Sequence, residues 1–171
     1  MDIRSLIRTV PDFPKPGIGY KDITPVLGNA EALKYVVDDI CGAYDGKIDA
    51  VVGIESRGFI LGGPIAYALG LGLVIVRKPG KLPHDSLAVE YELEYGTDTL
   101  EMHVDSLSPG ARVLVVDDLL ATGGTAAAAL ELVLKVGGNP VGCAFMIELA
   151  FLGGAARLAP VSCRSLVRYD D

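Results

Sequence analysis

Apolar residues along the chain occur both as short continuous runs and at helical spacing, and the two patterns alternate. The continuous runs predict buried strands at residues 50–54, 73–76, 113–116 and 141–147. The segments with helical spacing predict helices at residues 59–69 and 125–136. Because strands that are apolar on both faces must be covered on both sides, this alternation predicts an α/β fold with a central, mostly parallel sheet and helices on both faces.

The first fifty residues are predicted to contain two helices separated by a loop. Four apolar residues near the start have helical spacing: Ile3, Leu6, Ile7 and Val10. They predict a short amphipathic helix that ends at Pro11. The next segment, PDFPKPGIGYKDITP, is predicted to be a loop because its prolines disfavour helix. Asn29 is the predicted N-cap of a second helix, which ends near Gly46.

Residues 78–111 interrupt the alternation with a long polar segment. It contains weakly alternating pieces such as LAVEYELEYG and TLEMHV. A long insertion in a compact domain is usually functional or mobile, so we predict a flexible lid over a site. No repeat or linker divides the chain, and its 171 residues, half of them apolar, predict one domain.

The segment 58–76 is uncharged and is about long enough to cross a bilayer. Pro64 and several glycines interrupt it, and it divides into a predicted helix and a predicted strand. We therefore predict a buried helix, turn and strand, and no membrane partner.

The formal net charge of -7 narrows the class of partner. It opposes long-range attraction to nucleic acid or anionic lipid, so any bound phosphate must be held by local contacts. Cys41, Cys143 and Cys163 are odd in number and widely spaced, which predicts reduced thiols in a cytoplasmic protein. His84 and His103 lack zinc-binding spacing, so no metal site built on them is expected.

Two acids and a glycine-rich turn follow the predicted strand at 113–116. The acids are Asp117 and Asp118, and the turn comprises Ala121, Thr122, Gly123, Gly124 and Thr125. The turn opens a helix, where free N–H groups and the positive dipole end favour a phosphate dianion. The acids would repel that phosphate and should instead face hydroxyl groups or a hydrated cation. A 5-phosphorylated ribose satisfies both requirements at the carboxyl edge of the sheet, whereas a capped helix without a ligand is the structural alternative.

The whole motif, VLVVDDLLATGGT, resembles the phosphoribosyl pyrophosphate (PRPP) motif of type I phosphoribosyltransferases, and more narrowly that of the adenine phosphoribosyltransferase family. Six segments follow that family's order and spacing: DFPKPGI, KDITP, GIESRGF, VRKPGKLP, LEYGTDTLEMH and DDLLATGGT. The resemblance implies the type I fold and transfer of 5-phosphoribosyl from PRPP to adenine, which gives AMP and pyrophosphate. It also implies Mg2+ held mainly by PRPP and water, and a homodimer.

The resemblance further implies roles for particular residues. The turn at 121–125 would hold the 5-phosphate, while Asp117 and Asp118 would hold the ribose hydroxyls, with Asp117 also facing the base. The pyrophosphate residues would be Glu55, Ser56, Arg57, Arg77, Lys78 and Lys81, with a cis peptide between the first two. From the residues alone, Arg57 could instead form a surface salt bridge, and the basic segment at 77–81 could be a solvated turn.

In the predicted lid, Glu94 and Tyr95 match the family's Glu-Tyr pair. Glu94 would shuttle the proton, and lid closure would exclude water from the ribosyl centre; a solvated carboxylate is the alternative. Residues 1–30 match the base-binding hood. There Gly19, Tyr20 and Lys21 would meet the base, with Tyr20 stacking on its face.

Gly19 and Lys21 depart from the family pattern, which usually has a bulkier apolar residue and an arginine at these positions. A lysine near the base could donate to a 6-oxo group, so a xanthine or other 6-oxopurine phosphoribosyltransferase stays open. A PRPP-sensing regulator without catalysis is a further alternative, and it would need a basic DNA-binding helix that this acidic sequence lacks.

Overall fold

The computed structural model describes residues 1–92 and 96–171. Within those residues the strands are β1 (Arg8–Val10), β2 (Tyr20–Asp22), β3 (Ala50–Ile54), β4 (Gly72–Val76), β5 (Ser86–Glu92), β6 (Thr97–His103), β7 (Arg112–Leu120), β8 (Asn139–Leu149) and β9 (Ser162–Tyr169). Five of them form the central sheet in the order β4-β3-β7-β8-β9, and every neighbouring pair is parallel. This confirms the predicted α/β fold.

Helices cover both faces of this sheet. The helices are α1 (Thr24–Leu27), α2 (Ala30–Tyr44), α3 (Arg57–Leu69), α4 (Gly124–Val136) and α5 (Gly154–Arg157). Successive residues of a strand point to opposite faces, so the strands divide their side chains between two cores. Val52 and Val115 pack with α4 and with β5 and β6. Val51 and Leu114 pack with α2 and α3 on the other face.

The central elements match the sequence prediction closely. Strand β3 has the predicted bounds, and Asn29 caps α2 by accepting hydrogen bonds from the N–H groups of Glu31 and Ala32, at 3.1 and 3.0 Å. The uncharged segment at 58–76 is divided between α3 and β4, as predicted. In the described part of the chain, no helix is both long and apolar enough to cross a membrane. The three cysteines are free.

The predicted first helix is wrong. A single 3-10 turn occupies Arg4–Leu6, and β1 follows it. Strand β1 pairs antiparallel with β2, which lies inside the segment predicted to be a loop. The helical spacing of the apolar residues reflects burial of Ile3 and Ile7 against the sheet. Backbone pairing with β2 then competes with the helix, which is too short to be stable by itself.

Strand β9 was not predicted from the sequence. It lies at the edge of the sheet and pairs only with β8, so several of its side chains are exposed and polar. An edge strand of this kind lacks the continuous apolar run that marks the central strands. It nevertheless completes the sheet beside the chain's hood residues.

The predicted lid segment contains an antiparallel hairpin formed by β5 and β6. Four of its side chains are buried: Val89, Tyr91, Leu100 and Met102. They pack against α4 and so belong to the core on that face of the sheet. The base of the predicted lid is therefore a packed layer of the domain.

Candidate active site

A cavity of about 270 Å³ opens at the carboxyl ends of the central strands. Its lining combines acidic, basic and glycine residues from several elements: Glu55, Arg57, Lys78, Tyr91, Asp117, Asp118, Leu119, Leu120, Ala121, Thr122, Gly123, Gly124, Thr125, Ala126 and Phe145. Ligands of parallel α/β sheets bind at this edge, so the cavity has the expected location. It brings together most of the predicted residues for phosphate, ribose and pyrophosphate.

The glycine-rich turn forms one end of the cavity. Gly123 has a φ of 80°, which a residue with a side chain adopts only with strain, and α4 begins at the next residue. A Cβ atom on Gly123 would lie 2.8 Å from the backbone oxygen of Gly154. The turn is therefore held tightly against α5, with the first N–H groups of α4 free to bind an anion.

The two acids lie within β7, which continues to Leu120, and not after the strand as predicted. Pairing with β8 continues to the end of β7, where Leu120 lies opposite Glu148, and this pairing extends the strand. Asp118 is 3% exposed and accepts a hydrogen bond from Arg57 Nε at 2.5 Å. Asp117 accepts from the N–H of Asp118 at 2.9 Å.

Burial raises the pKa of Asp117 well above its usual range, and the neighbouring Asp118 carboxylate raises it further. The Arg57 guanidinium opposes this shift only in part. Without a ligand, Asp117 therefore takes up a proton more readily than an ordinary aspartate does. A hydroxyl-rich or cationic ligand would favour its charged form.

The position of Arg57 follows from close packing of α3 on β7. A Cβ atom on Gly58 would lie 2.6 Å from the backbone oxygen of Val116, so only glycine allows this approach. Arg57, at the start of α3, is thereby brought to Asp118. Its side chain stays 44% exposed, which leaves guanidinium N–H groups free for a ligand.

A cluster of basic groups surrounds Glu55. Its carboxylate accepts from Arg77 Nε at 3.2 Å and from the backbone N–H of Lys78 at 2.9 Å, and it forms an ion pair with Lys81. The peptide bond between Glu55 and Ser56 is cis, as the resemblance implied. Glu55 thus holds the predicted pyrophosphate residues together.

Burial opposes ionisation of Glu55, but the hydrogen bonds from Lys81, Lys78 and Arg77 outweigh it and lower the pKa to about 2. The carboxylate is therefore charged at neutral pH.

Lys78 is held by two residues that sequence analysis missed. Its Nζ atom forms an ion pair with Asp98 and a hydrogen bond to the Tyr91 hydroxyl at 3.1 Å. Tyr91 and Asp98 are directly opposite each other on β5 and β6. Their partnership depends on the register of the hairpin, which no local pattern in the sequence specifies.

In the hood, Tyr20 and Lys21 are neighbours on β2 and so face opposite sides of the strand. Tyr20 packs edge-on against Phe13, with ring centroids 5.2 Å apart. Lys21 donates to Thr9 Oγ1 at 3.1 Å, and its Nζ lies 4.0 Å from the centroid of the Tyr169 ring. The lysine ammonium is thus directed to β1 and β9, away from the face that carries Tyr20. Gly19 immediately precedes β2.

The predicted lid residues Glu94 and Tyr95 lie outside the described residues. Their roles in proton transfer and closure stay predictions.

The fold and the cavity define a phosphoribosyltransferase, and comparison with known proteins agrees. A family model described as phosphoribosyl transferase domain matches residues 20–164. The adenine phosphoribosyltransferase of Roseiflexus sp. (strain RS-1) is 56% identical over 169 residues, which cover 98% of each chain. The chain belongs to the adenine phosphoribosyltransferase family.

Solved structures give the same assignment of the fold. The adenine phosphoribosyltransferase of Thermoanaerobacter pseudethanolicus is 50% identical, with a TM-score of 0.95 and 98% of each chain covered. The Saccharomyces cerevisiae enzyme, solved with adenine and an imino-altritol bisphosphate, is 39% identical, with a TM-score of 0.91 and 96% of each chain covered.

Replacement of Glu55 with glutamine is expected to remove a pH-dependent part of the stability. Because the folded pKa of Glu55 is depressed, its contribution is fully present above its ordinary value of 4.5 and is lost as the pH falls towards about 2. Urea unfolding of both proteins between pH 7 and pH 2.5 measures the effect. The free-energy difference between wild type and E55Q should be largest near neutral pH and should shrink on acidification. A difference that stays constant with pH would contradict the assignment.

Proposed function

We propose that this chain transfers the 5-phosphoribosyl group of PRPP to adenine, with AMP and pyrophosphate as products. The observation that carries the proposal is the adjacency of two carboxylates and a free helix N-terminus in one cavity. Asp117 and Asp118 lie near the end of β7, only two residues before the turn that opens α4. A 5-phosphorylated ribose bridges these groups, with its phosphate on the turn and its hydroxyls at the acids.

The turn at residues 121–125 binds the 5-phosphate through N–H groups of the backbone and the hydroxyls of Thr122 and Thr125. Asp118 is fixed by Arg57 and accepts from a ribose hydroxyl. Asp117 accepts from the neighbouring hydroxyl and faces the base N7. These contacts fix the anomeric carbon in the cavity, so that N9 of the base attacks it in line with the departing pyrophosphate.

The leaving pyrophosphate is stabilised by Arg57 and by the basic groups at Arg77, Lys78 and Lys81. Arg57 and Lys78 line the cavity together with Glu55. Glu55 does not itself meet the pyrophosphate, which is also anionic; it holds Arg77 and Lys81 in place. Arg77 and Lys81 are thus already held in position by Glu55 at one side of the cavity. Little side-chain reorganisation therefore accompanies binding of the pyrophosphate.

Mg2+ enters with PRPP as part of the substrate. The donor set suits this arrangement, because Asp117 and Asp118 offer carboxylate oxygens and Arg57 already occupies part of Asp118. Among the residues that the structure describes, no group of three or more metal-ligating side chains forms a cage. When bound, the ion screens the charge of the pyrophosphate. Glu94 is the proposed proton shuttle to the base, and Tyr95 would accompany closure of the lid.

Adenine is favoured over a 6-oxopurine by the direction of Lys21. A 6-oxo group needs a donor, and the lysine ammonium is engaged with Thr9 and the ring of Tyr169. A backbone carbonyl near Gly19 can accept from the 6-amino group of adenine, while Tyr20 stacks on the purine face. The departures of this chain from the family pattern are therefore compatible with adenine.

A base-competition assay tests this function. Purified protein with PRPP and Mg2+ is given adenine, hypoxanthine, guanine or xanthine, and nucleotide and pyrophosphate are measured. Adenine is expected to be preferred by about 10²-fold or more, because groups arranged for an amino donor reject a carbonyl. Preference for a 6-oxopurine, or PRPP binding without turnover of any base, would contradict the proposal.

The resemblance to the adenine phosphoribosyltransferase family also implies a homodimer. We propose that this protein is a homodimer in the cytoplasm. The free thiols of Cys41, Cys143 and Cys163 support a reducing compartment. Light scattering of the purified protein measures the oligomeric state directly.

A further inference from the structure

Helix α5 is fixed directly against the glycine-rich turn. A Cβ atom on Gly154 would lie 2.2 Å from the backbone oxygen of Ala121, and one on Gly123 would lie 2.8 Å from the backbone oxygen of Gly154. Only glycine at both positions allows the two backbones to approach this closely. Side chains on α5 are therefore held at a defined distance from the turn.

Arg157 is the last residue of α5 and lies beside the first residue of α4. Its Nη1 atom is 3.3 Å from the position that a Cβ atom on Gly124 would occupy. The side chain is exposed. The position of that Cβ atom on Gly124 is also 3.2 Å from the backbone oxygen of Glu92, at the end of β5. The guanidinium thus lies beside the first turn of α4, at the side where β5 ends.

Arg157 differs from every other arginine of the chain in having no partner among the described residues. The others pair with carboxylates or a backbone oxygen; they are Arg4, Arg8, Arg57, Arg77, Arg112, Arg164 and Arg168. Acidic residues outnumber basic ones in this chain, 22 to 15, so an unpaired arginine is not explained by a lack of carboxylates. Within the described residues, no carboxylate pairs with the Arg157 guanidinium beside the turn.

We propose that Arg157 binds the 5-phosphate of PRPP and of AMP, together with the turn at residues 121–125. This inference rests on the proposed function. The turn supplies N–H groups and hydroxyls but no full positive charge, so a phosphate dianion on it lacks a cation from the turn itself. Arg157 supplies that charge, and its fork of N–H groups matches two phosphate oxygens. Arg157 thus contributes to the affinity for PRPP and AMP, and it does not contact the bonds that form and break at the anomeric carbon.

The variants Arg157→Gln and Arg157→Lys test this assignment. Loss of a charge-assisted contact to phosphate is expected to raise the KM for PRPP and the Kd for AMP by about 10-fold. The kcat should stay within about 3-fold of wild type, because the contact is made equally in the ground and transition states. Arg157→Lys should recover part of the affinity. Adenine has no phosphate, so its Kd, measured by calorimetry, should not change.

Arg112→Gln is the matched control. Arg112 begins β7 at the opposite edge of the sheet and pairs with Asp49, so its loss should leave both KM and kcat unchanged. Unaltered AMP affinity in Arg157→Gln would overturn the proposal, as would equal losses for AMP and adenine or a fall confined to kcat.

Titration with ribose 5-phosphate separates this inference from the proposed function. If the wild type makes no nucleotide from any base, the proposed reaction fails. Arg157 is then judged by ribose 5-phosphate alone: about 10-fold weaker binding in Arg157→Gln supports its role, and equal binding overturns it.

Discussion

The double variant Asp117→Asn/Asp118→Asn is expected to lose at least about 10²-fold in kcat/KM for PRPP while it stays folded. Each carboxylate is proposed to accept from a ribose hydroxyl, and a hydrogen bond to a charged group contributes about 1.5–3 kcal/mol. Asparagine keeps the shape of the side chain but weakens the acceptor. Initial rates over a range of PRPP concentrations, with circular dichroism to verify the fold, measure the loss.

The single variants separate binding from folding. Burial, and then Asp118, raise the pKa of Asp117, so the charged form of Asp117 weakens the folded state at neutral pH. Asp117→Asn is thus expected to be at least as stable as wild type at pH 7, although it is less active. Asp118→Asn should be less stable, because it leaves Arg57 without its charged partner. Full activity in the double variant would show that the acids do not hold the ribose.

Replacement of Gly123 with alanine is expected to reduce kcat/KM for PRPP by about 10²-fold. Alanine at a φ of 80° is strained, and its Cβ would lie 2.8 Å from the backbone oxygen of Gly154. The turn must therefore move away from α5, and a displacement of this kind in a binding site costs about 10²-fold in rate. The KM for PRPP should account for much of the loss.

Gly137→Ala is the matched control for this variant. Gly137 ends α4 with a φ of 96°, but no atom lies within 4 Å of the position its Cβ would occupy. The strain of a positive φ should lower the free energy of unfolding by about 1 kcal/mol and leave the kinetics unchanged. Similar kinetic losses in both variants would show that strain in α4, and not displacement of the turn, is responsible.

Sequence patterns predicted β3, β4 and α4 closely, and they missed β1, β2 and β9. Every residue of β3 is buried, and one face of α4 is buried, so the apolar pattern of each element reflects its environment. Strands β1 and β9 depend on pairing with distant segments, which outweighs local preference. The length of β7 likewise follows from its pairing with β8.

The candidate site shows the same division. Asp117, Asp118 and the turn at residues 121–125 are close together in the sequence, so a single motif contains them. Their chemistry could therefore be predicted from the sequence. The partners of Glu55 lie more than twenty positions away, at Arg77 and Lys81. Arg157 follows the turn by a whole strand and helix. Only the close approach of Gly154 to the turn reveals it.

The contact between Lys21 and Tyr169 joins the hood to the last strand of the sheet. Tyr169 itself does not line the cavity. A substitution at Tyr169 is therefore expected to change the surroundings of Lys21, while the residues that line the cavity stay as they are.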